Sequence, residues 1–513
     1  RAPCGARGLK QRDREIPVGE RNKAHRNPQR RGLSKSRLMA HRQCPKRLWL
    51  ATYKTELADE SGAQSAFAFG NEIGEVARRL HPGGHLIEGD NLSEALKATT
   101  ACLEERPRKP LFEATFDFHH TLIRADLLLP MRTGYRLVEV KASTSVKPHY
   151  IEDVAIQAWV MEQAGVRLRR LELAHVNNCF AYPGNADYRG LLNYVDVASE
   201  ARPLMDEVGG WVNTARDTLA GTEPDIKPGS QCTNPYPCSF MAYCWPQAED
   251  GYPLSDLPRG GKVVETLTAE GYTDLRDVPA KRLSNVHQRM VHRAVKAGKP
   301  IIDPAAGQML QRLAWPRYYL DFETIQFALP IWVGTHPYQQ IPFQWSCHIE
   351  NRYGAVPHHE FLAKGDGDPR HAFVESLVNT LGTTGTIFVY NTAFEHTRMT
   401  ELAEAFSEFA SALNAACERF VDLLPIVRDH YYHPDQHGSW SLKAVLPTIA
   451  PELDYAGLEV AEGGAAAETF RKLLNPDTTA EDAANWRAGL IEYCGRDTLA
   501  LVRIARFLQK RVL

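Results

Sequence analysis

The stretch TLIRADLLLPMRTGYRLVEVK (residues 121–141) decides how the first half of the chain is read. Its β-branched and leucine-rich composition predicts a strand over Thr121–Leu129, paired with a strand over Leu111–Phe116, and a third strand over Tyr135–Lys141. Asp126 lies inside an apolar run, and thirteen residues later comes Glu139. One residue separates Glu139 from Lys141, so on a strand both point to the same face. Acids and lysines alternate on many exposed strands, but the flanks here are Ile123, Leu127, Leu128, Leu137, Val138 and Val140. Charges in such surroundings are costly to bury without a metal ion. Two carboxylates around a divalent ion, with a lysine to orient water or stabilise developing charge, meet the needs of phosphodiester hydrolysis.

Working outward, Ser34 or Ser36 caps a helix running through Leu38, Cys44 and Leu48. A second helix is predicted over Ala66–Leu80, stopped by His81-Pro82-Gly83-Gly84. An amphipathic helix over Tyr150–Gln163 and a strand over Arg170–Val176 follow, and residues 196–222 form another helix. Strands alternating with helices predict a mixed α/β core. At 513 residues the chain exceeds one core. It divides into a basic arm (1–32), an α/β domain (33–250), a short-helical connector (251–304) and a second α/β domain (305–513).

The composition, 43% hydrophobic and 24% charged, is that of a soluble protein, and no run reaches the about 18 apolar residues of a membrane span. The chain is expected in the cytoplasm, without a membrane partner. The net charge of −2 hides an asymmetry, because residues 1–50 carry 15 lysines and arginines against 3 acids and leave −14 on the rest. The first 30 residues lack apolar periodicity and are expected to be disordered, whether or not they also contact phosphates. The chain opens with Arg1 and its first methionine is Met39, so this arm reads as an upstream extension or a truncated start.

Cys232, Cys238 and Cys244 sit in the loop CTNPYPCSFMAYC (232–244), which has neither helical nor strand period and suits ligation better than packing. With Cys44 far upstream they offer four thiolates, which zinc and an iron–sulfur cluster accept equally well. Cys4, Cys102, Cys179, Cys347, Cys417 and Cys494 read as ordinary thiols, reduced in the cytosol.

In the second half, Tyr318-Tyr319-Leu320 is a buried strand that delivers Asp321 and Glu323 on one face. Residues 341–349 and Thr386–Tyr390 are further strands, and NTAFE (391–395) opens a helix. Tyr493 and Asp497 lie one helical turn apart. Two closely spaced metal ions need several converging carboxylates, and these elements supply them.

These residues carry two resemblances. Residues from Ser34 to about Pro246 resemble the RecB-like PD-(D/E)XK nucleases, in particular the iron–sulfur branch that includes the CRISPR adaptation nucleases. The matching pieces are Leu33-Ser34-Lys35-Ser36, Gln43-Cys44-Pro45, Asp126, Glu139-Val140-Lys141, Gln157 and the three later cysteines. The resemblance implies that Asp126 and Glu139 bind Mg²⁺ or Mn²⁺, that Lys141 assists hydrolysis, and that Gln157 positions the strand. It also implies a 4Fe–4S cluster on Cys44, Cys232, Cys238 and Cys244. Where that family offers a helical histidine ligand, this chain reads Gly70-Asn71-Glu72-Ile73-Gly74-Glu75, leaving Glu72, Glu75 or His81 as substitutes.

The second half resembles DEDD exonucleases of the DnaQ-like, ribonuclease H-like fold, in the subclass with tyrosine in the last motif. This implies Asp321, Glu323 and Asp497 as metal ligands and Tyr493 as the residue orienting water. Glu395 stands where that family has aspartate, with Asp422 as an alternative ligand, and Ser441 is expected to cap a helix. As a whole, the chain resembles uncharacterised bacterial proteins in which a RecB-like nuclease is fused to such a domain. The expected activity is metal-dependent hydrolysis of nucleic acid, DNA before RNA, in repair or defence. The rival is a nucleic-acid-binding scaffold with one or both sites degenerate.

Overall fold

The structure is a computed structural model that describes residues 32–59, 64–88, 91–245, 251–455, 457–458 and 460–510. The basic arm up to residue 31 lies outside them, as does Cys4. No helix among the described residues is long and apolar enough to cross a membrane.

The chain is mixed α/β and is built on two main sheets. The first contains β1 (Leu33–Ser34), β2 (His85–Leu86), β3 (Leu111–Phe118), β4 (Thr121–Pro130), β5 (Tyr135–Lys141), β6 (Leu168–Val176) and β7 (Leu192–Asp196). Its order is β2-β3-β4-β5-β6-β7, with β1 pairing β4. Alternate residues of β5 feed opposite faces. Leu137 joins the core beneath the helices Pro148–Gln163 and Ala198–Ala220, whereas Val138 joins a second cluster with Ile73, Val76 and Ala77 of the helix Gln64–Arg79. This period-2 alternation fixes the side on which Glu139 and Lys141 emerge.

The helix expected through Cys44 is two helices, Lys35–Gln43 and Pro45–Tyr53. Pro45 lacks an amide hydrogen and sits in the first turn of the second helix, with Cys44 extended between them. Ser34, rather than Ser36, provides the cap, accepting from Arg37 N at 3.3 Å.

The second main sheet follows a short β8 (Ile301–Ile302). It comprises β9 (Arg317–Ile325), β10 (Ile341–Glu350), β11 (His358–Leu362), β12 (Thr386–Val389) and β13 (Phe420–Asp422), in the order β11-β10-β9-β12-β13. The first three strands pair antiparallel, and β12 runs parallel to both β9 and β13. Leu320 and Phe322 pack toward the helices Arg370–Leu381 and Ala393–Ala405. Tyr319 faces the other way, toward the 30-residue helix Ala480–Gln509, and Asp321 and Glu323 share its parity.

The connector expected over 251–304 is short-helical, yet it is built into the second domain. Leu254, Leu257, Leu267 and Leu275 share one core with Tyr319, Phe388, Leu501 and Val502, and β8 pairs with β14 (Tyr431–Tyr432). Gly438, at φ +76°, lies so close that a Cβ there would come within 1.9 Å of the Asp256 carbonyl oxygen. Gly438→Ala therefore combines backbone strain with a steric clash, a loss of about 1–3 kcal/mol or more. We expect a lower Tm and new protease cleavage between residues 251 and 304. An unchanged Tm would contradict this packing.

Candidate functional sites

The first constellation gathers where β4, β5 and two helix starts meet. Lys35 Nζ and Lys141 Nζ both donate to Glu139 Oε1, at 2.8 and 2.7 Å. Lys141 also reaches Asp153 Oδ2 at 2.6 Å, and Lys35 lies 3.1 Å from Asp153 Oδ1. Gln157 Nε2 donates to Glu139 Oε2 at 2.6 Å and to Asp153 Oδ1 at 3.0 Å. Two lysines and two acids thus form a charge-neutral quartet, cross-braced by one amide. Burial disfavours the ionised form of Asp153, but the Lys35 and Lys141 ammonium groups outweigh it and hold the carboxyl well below the usual range. Removing one partner of such a buried set costs about 3–5 kcal/mol, because a charge is left uncompensated.

Asp126 stands outside the quartet, accepting from Val140 N at 2.7 Å. Burial, then the Glu139 charge, pushes its pKa well above the ordinary aspartate value. Asp126 and Glu139 line a cleft of ≈ 1170 Å³ together with Glu72, Glu75 and Glu113. Glu113 adopts a left-handed φ of +56° in the middle of β3, a conformation uncommon for a residue with a Cβ. His81, one of the candidate substitutes for a helical ligand, turns away from this cleft and contacts the Tyr194 hydroxyl at 3.3 Å. Glu72 and Glu75, the other two candidates, line the cleft. The sequence pattern assigns no role to Asp153 or Glu113, and Lys35 enters only within the stretch 33–36. Asp153 carried a signal, since it precedes Gln157 by four residues and shares its helix face.

Cys44, Cys232, Cys238 and Cys244 line one small cavity with Lys46 and Arg47 beside it. The loop is clamped by Gln43, whose Nε2 donates to the carbonyls of Gln231 and Tyr236, each at 2.8 Å. Burial raises the Cys238 and Cys244 thiols. Sequence-distant Cys44 thus meets the loop cysteines, and all four donors suit a soft metal or cluster.

The second constellation is the more acidic. Asp321, Glu323 and Cys494 place ligand-type atoms within 4.8 Å of one another. Cys494, expected to be an ordinary thiol, is buried with its Sγ 3.8 Å from Asp321 Oδ2. Asp497 accepts a short hydrogen bond from the Tyr455 hydroxyl, and Tyr493 also bonds to it. Lys443 Nζ lies 5.5 and 5.3 Å from the Tyr455 and Tyr493 ring centres and donates to Ala461 O at 2.6 Å. It sits in a helix that Ser441 caps, as expected, by accepting from Ala444 N.

The Glu395 charge acts on Asp321, and the Asp422 charge acts on Glu395, but the two acids differ in how they are satisfied. Asp422 accepts from the backbone amides of Asn391, Thr392 and Leu424 at 2.9, 3.0 and 2.9 Å, so both its oxygens are committed to capping. Glu395 is 2% exposed, and its Oε2 is buried with no hydrogen-bond partner. Such an orphaned acceptor is expensive unless something binds it.

Burial dominates the titration of these acids. It pushes Glu395 up to about 8, and, with the Asp497 charge, Glu323 to about 8. Asp497 rises to about 6, the Tyr455 hydrogen bond and Lys443 opposing part of the burial effect. Asp321 is raised well above its ordinary value by burial and then by Asp497, Glu323 and Glu395.

Residues 318–441 match a family described as a domain of unknown function (DUF2779). The match takes in Asp321, Glu323 and Glu395, and stops before Tyr493 and Asp497. An uncharacterised protein of Mycoplasma pneumoniae, the MG366 homolog, is 26% identical over 222 residues, covering 39% of this chain and 33% of that protein.

The raised carboxyls give a signed pH dependence. Without metal, the folded state holds protons that the unfolded chain releases near pH 4, so this contribution to stability is complete below about pH 4 and is lost as pH rises through about 6 to 8. In EDTA, the Tm of the wild type should fall more steeply between about pH 5 and about pH 9 than that of Glu323→Gln. Saturating Mn²⁺ should remove the difference in slope. Parallel slopes in EDTA would contradict the shared burial of these acids.

Proposed function

We propose that the chain is a divalent-metal-dependent nuclease with two sites, acting on DNA in preference to RNA. The first domain is read as a PD-(D/E)XK core of the RecB-like type, the second as a ribonuclease H-like core with a DEDD-type site. The observation that carries the reading is the cluster of Asp321, Glu323 and Cys494, whose ligand-type atoms lie within 4.8 Å of one another, with the charges of Asp497 and Glu395 acting on Asp321 and Lys443 nearby. Four acids in that setting are stable when protonated or when divalent ions neutralise them. Bound Mg²⁺ or Mn²⁺ supplies charge neutralisation and an activated water for attack on phosphorus. The protein contributes the four carboxylates as ligands, Tyr493 and Tyr455 to hold Asp497, and the aromatic-lined Lys443 to offset residual charge.

In the first site Asp126 and Glu139 are the ligands, and Lys141 sits where it stabilises charge on a departing oxygen. Gln157 holds Glu139 in register with the cleft. The binding-scaffold reading has one observation in its favour, also at this site. Glu139 already accepts from Lys35, Lys141 and Gln157, so a metal ion there must share its oxygens with two ammonium groups.

Labelled single- and double-stranded DNA and RNA, incubated with Mg²⁺ or Mn²⁺, separate these readings. Glu139→Ala and Asp321→Ala should each remove part of the cleavage, and the double variant all of it. Lys141→Ala should abolish first-site cleavage while Mn²⁺ binding survives. In the second site Glu395→Asp should retain 3′-nucleotide removal and Glu395→Gln should lose most of it. Undiminished cleavage by the double variant would overturn the assignment, and no cleavage by wild type under either ion would leave the scaffold.

The four cysteines fit a 4Fe–4S cluster, with Lys46 and Arg47 placed to balance its negative charge. Anaerobically purified protein should be brown and carry iron and sulfide in equal amounts, and Cys238→Ser should lose both colour and solubility. Stoichiometric zinc without iron would reject the cluster and keep a structural metal.

A further inference from the structure

The two sites are held next to each other by two separate pieces of the second domain. One is the segment that follows β9, the strand bearing Asp321 and Glu323. It leaves the second sheet and lies on the first domain, where Ala328 is buried in the cluster of Ile73 and Val76. Gly334 N donates to Tyr182 O at 2.8 Å and Tyr182 N to Thr335 O at 3.0 Å. At its far end the Tyr338 hydroxyl donates to the carbonyl of Ala142, the residue after Lys141, at 2.6 Å.

The other piece is the helix Gly463–Leu473. At its N-terminal end, a Cβ on Gly463 would lie 3.7 Å from Glu323 Oε2. Near its C-terminal end, Arg471 packs over the rings of Phe69 and Phe327, at 5.6 and 4.6 Å, and donates to Gln326 O at 2.9 Å. Its charge also acts on Glu72, which lines the first cleft. Eight residues of helix separate Gly463 from Arg471, a rise of about 12 Å. One strand of DNA covers that distance in about four nucleotides at its helical rise. Glu323 and Asp497 are 7% exposed and Glu395 2%, with Asp321 half-buried, so the second site favours an unpaired end over a duplex.

We propose that the first cleft and the second site lie on one substrate path, and that a single unpaired DNA strand lies across both sites at once. The proposal rests on the nuclease reading for its substrate class, but it makes a claim about binding that is independent of catalysis. A strand long enough to touch both sites gains a second, intramolecular contact, which raises affinity without any new residue.

The test uses the full chain carrying Glu139→Gln and Asp321→Asn, so that Mg²⁺ is present and the probe stays intact. Oligodeoxythymidines of about 4 to about 20 nucleotides, a range spanning single-stranded site sizes, are titrated by fluorescence anisotropy. Affinity should step up at least tenfold over a narrow length interval. Adding Arg471→Ala should flatten the step while short-probe affinity stays within twofold. Adding Tyr338→Phe, which deletes one hydroxyl, should move the step in the same direction and guards against a folding defect in the first variant. A smooth rise of affinity with length, or a step untouched by both variants, would overturn the proposal even if both sites cleave DNA. A step without any cleavage by the parent chain would uphold the shared path and reject the nuclease reading.

Discussion

The mutual repulsion of half-buried Asp321 with buried Glu323, Glu395 and Asp497 constrains the second domain. Asp321 and Glu323 come from the centre of the sheet, Asp497 from the long C-terminal helix and Glu395 from the helix after β12. Bringing like charges together in a low-dielectric site opposes folding, so the surrounding apolar core must hold them against repulsion. The stacked Phe343 and Phe470 rings, 4.0 Å apart, and the fully buried Tyr319 and Phe388 belong to that core. The connector belongs to it as well, which explains why residues 251–304 are packed into the second domain instead of trailing between two domains.

The first site solves the same problem differently. Lys35 and Lys141 neutralise Glu139 and Asp153 in place, whereas Asp126, Glu72 and Glu75 in the same cleft have no ion-pair partner among the described residues. The Glu139 and Asp153 pair is therefore balanced before any ion arrives, whereas the second-site acids have Lys443 beside them and otherwise depend on protons or metal. The two should differ in metal affinity, with the second the stronger binder and the first the more responsive to substrate phosphate.

What the sequence revealed, and what it did not, follows the range of the interactions involved. The strands around Asp126 and Glu139 were legible because two-residue alternation is local, and Tyr493 with Asp497 because a helical turn is local. The break at Cys44 was legible in Pro45 but was read through. The role of Lys35 is not legible because its partner Glu139 lies 104 residues away, whereas the local spacing of Asp153 to Gln157 carries a signal. Cys494 reads as an ordinary thiol in sequence, yet it lies between Tyr493 and Asp497 with its Sγ 3.8 Å from Asp321 Oδ2. Tyr455 gave no signal, since it lies in an irregular segment whose approach to Asp497 only tertiary packing defines. The choice between Glu395 and Asp422 needed the hydrogen bonds, because both are acids near the end of a parallel strand.

The central claim is that the four acids of the second site exist to hold divalent metal. Crystals of the full chain soaked in Mn²⁺ test it directly through anomalous scattering. The expected result is density bounded by Asp321, Glu323, Glu395 and Asp497, weakened or displaced in Glu395→Gln crystals. A fully soaked crystal with no anomalous peak among these carboxylates, or one whose peak is indifferent to Glu395, would contradict the account.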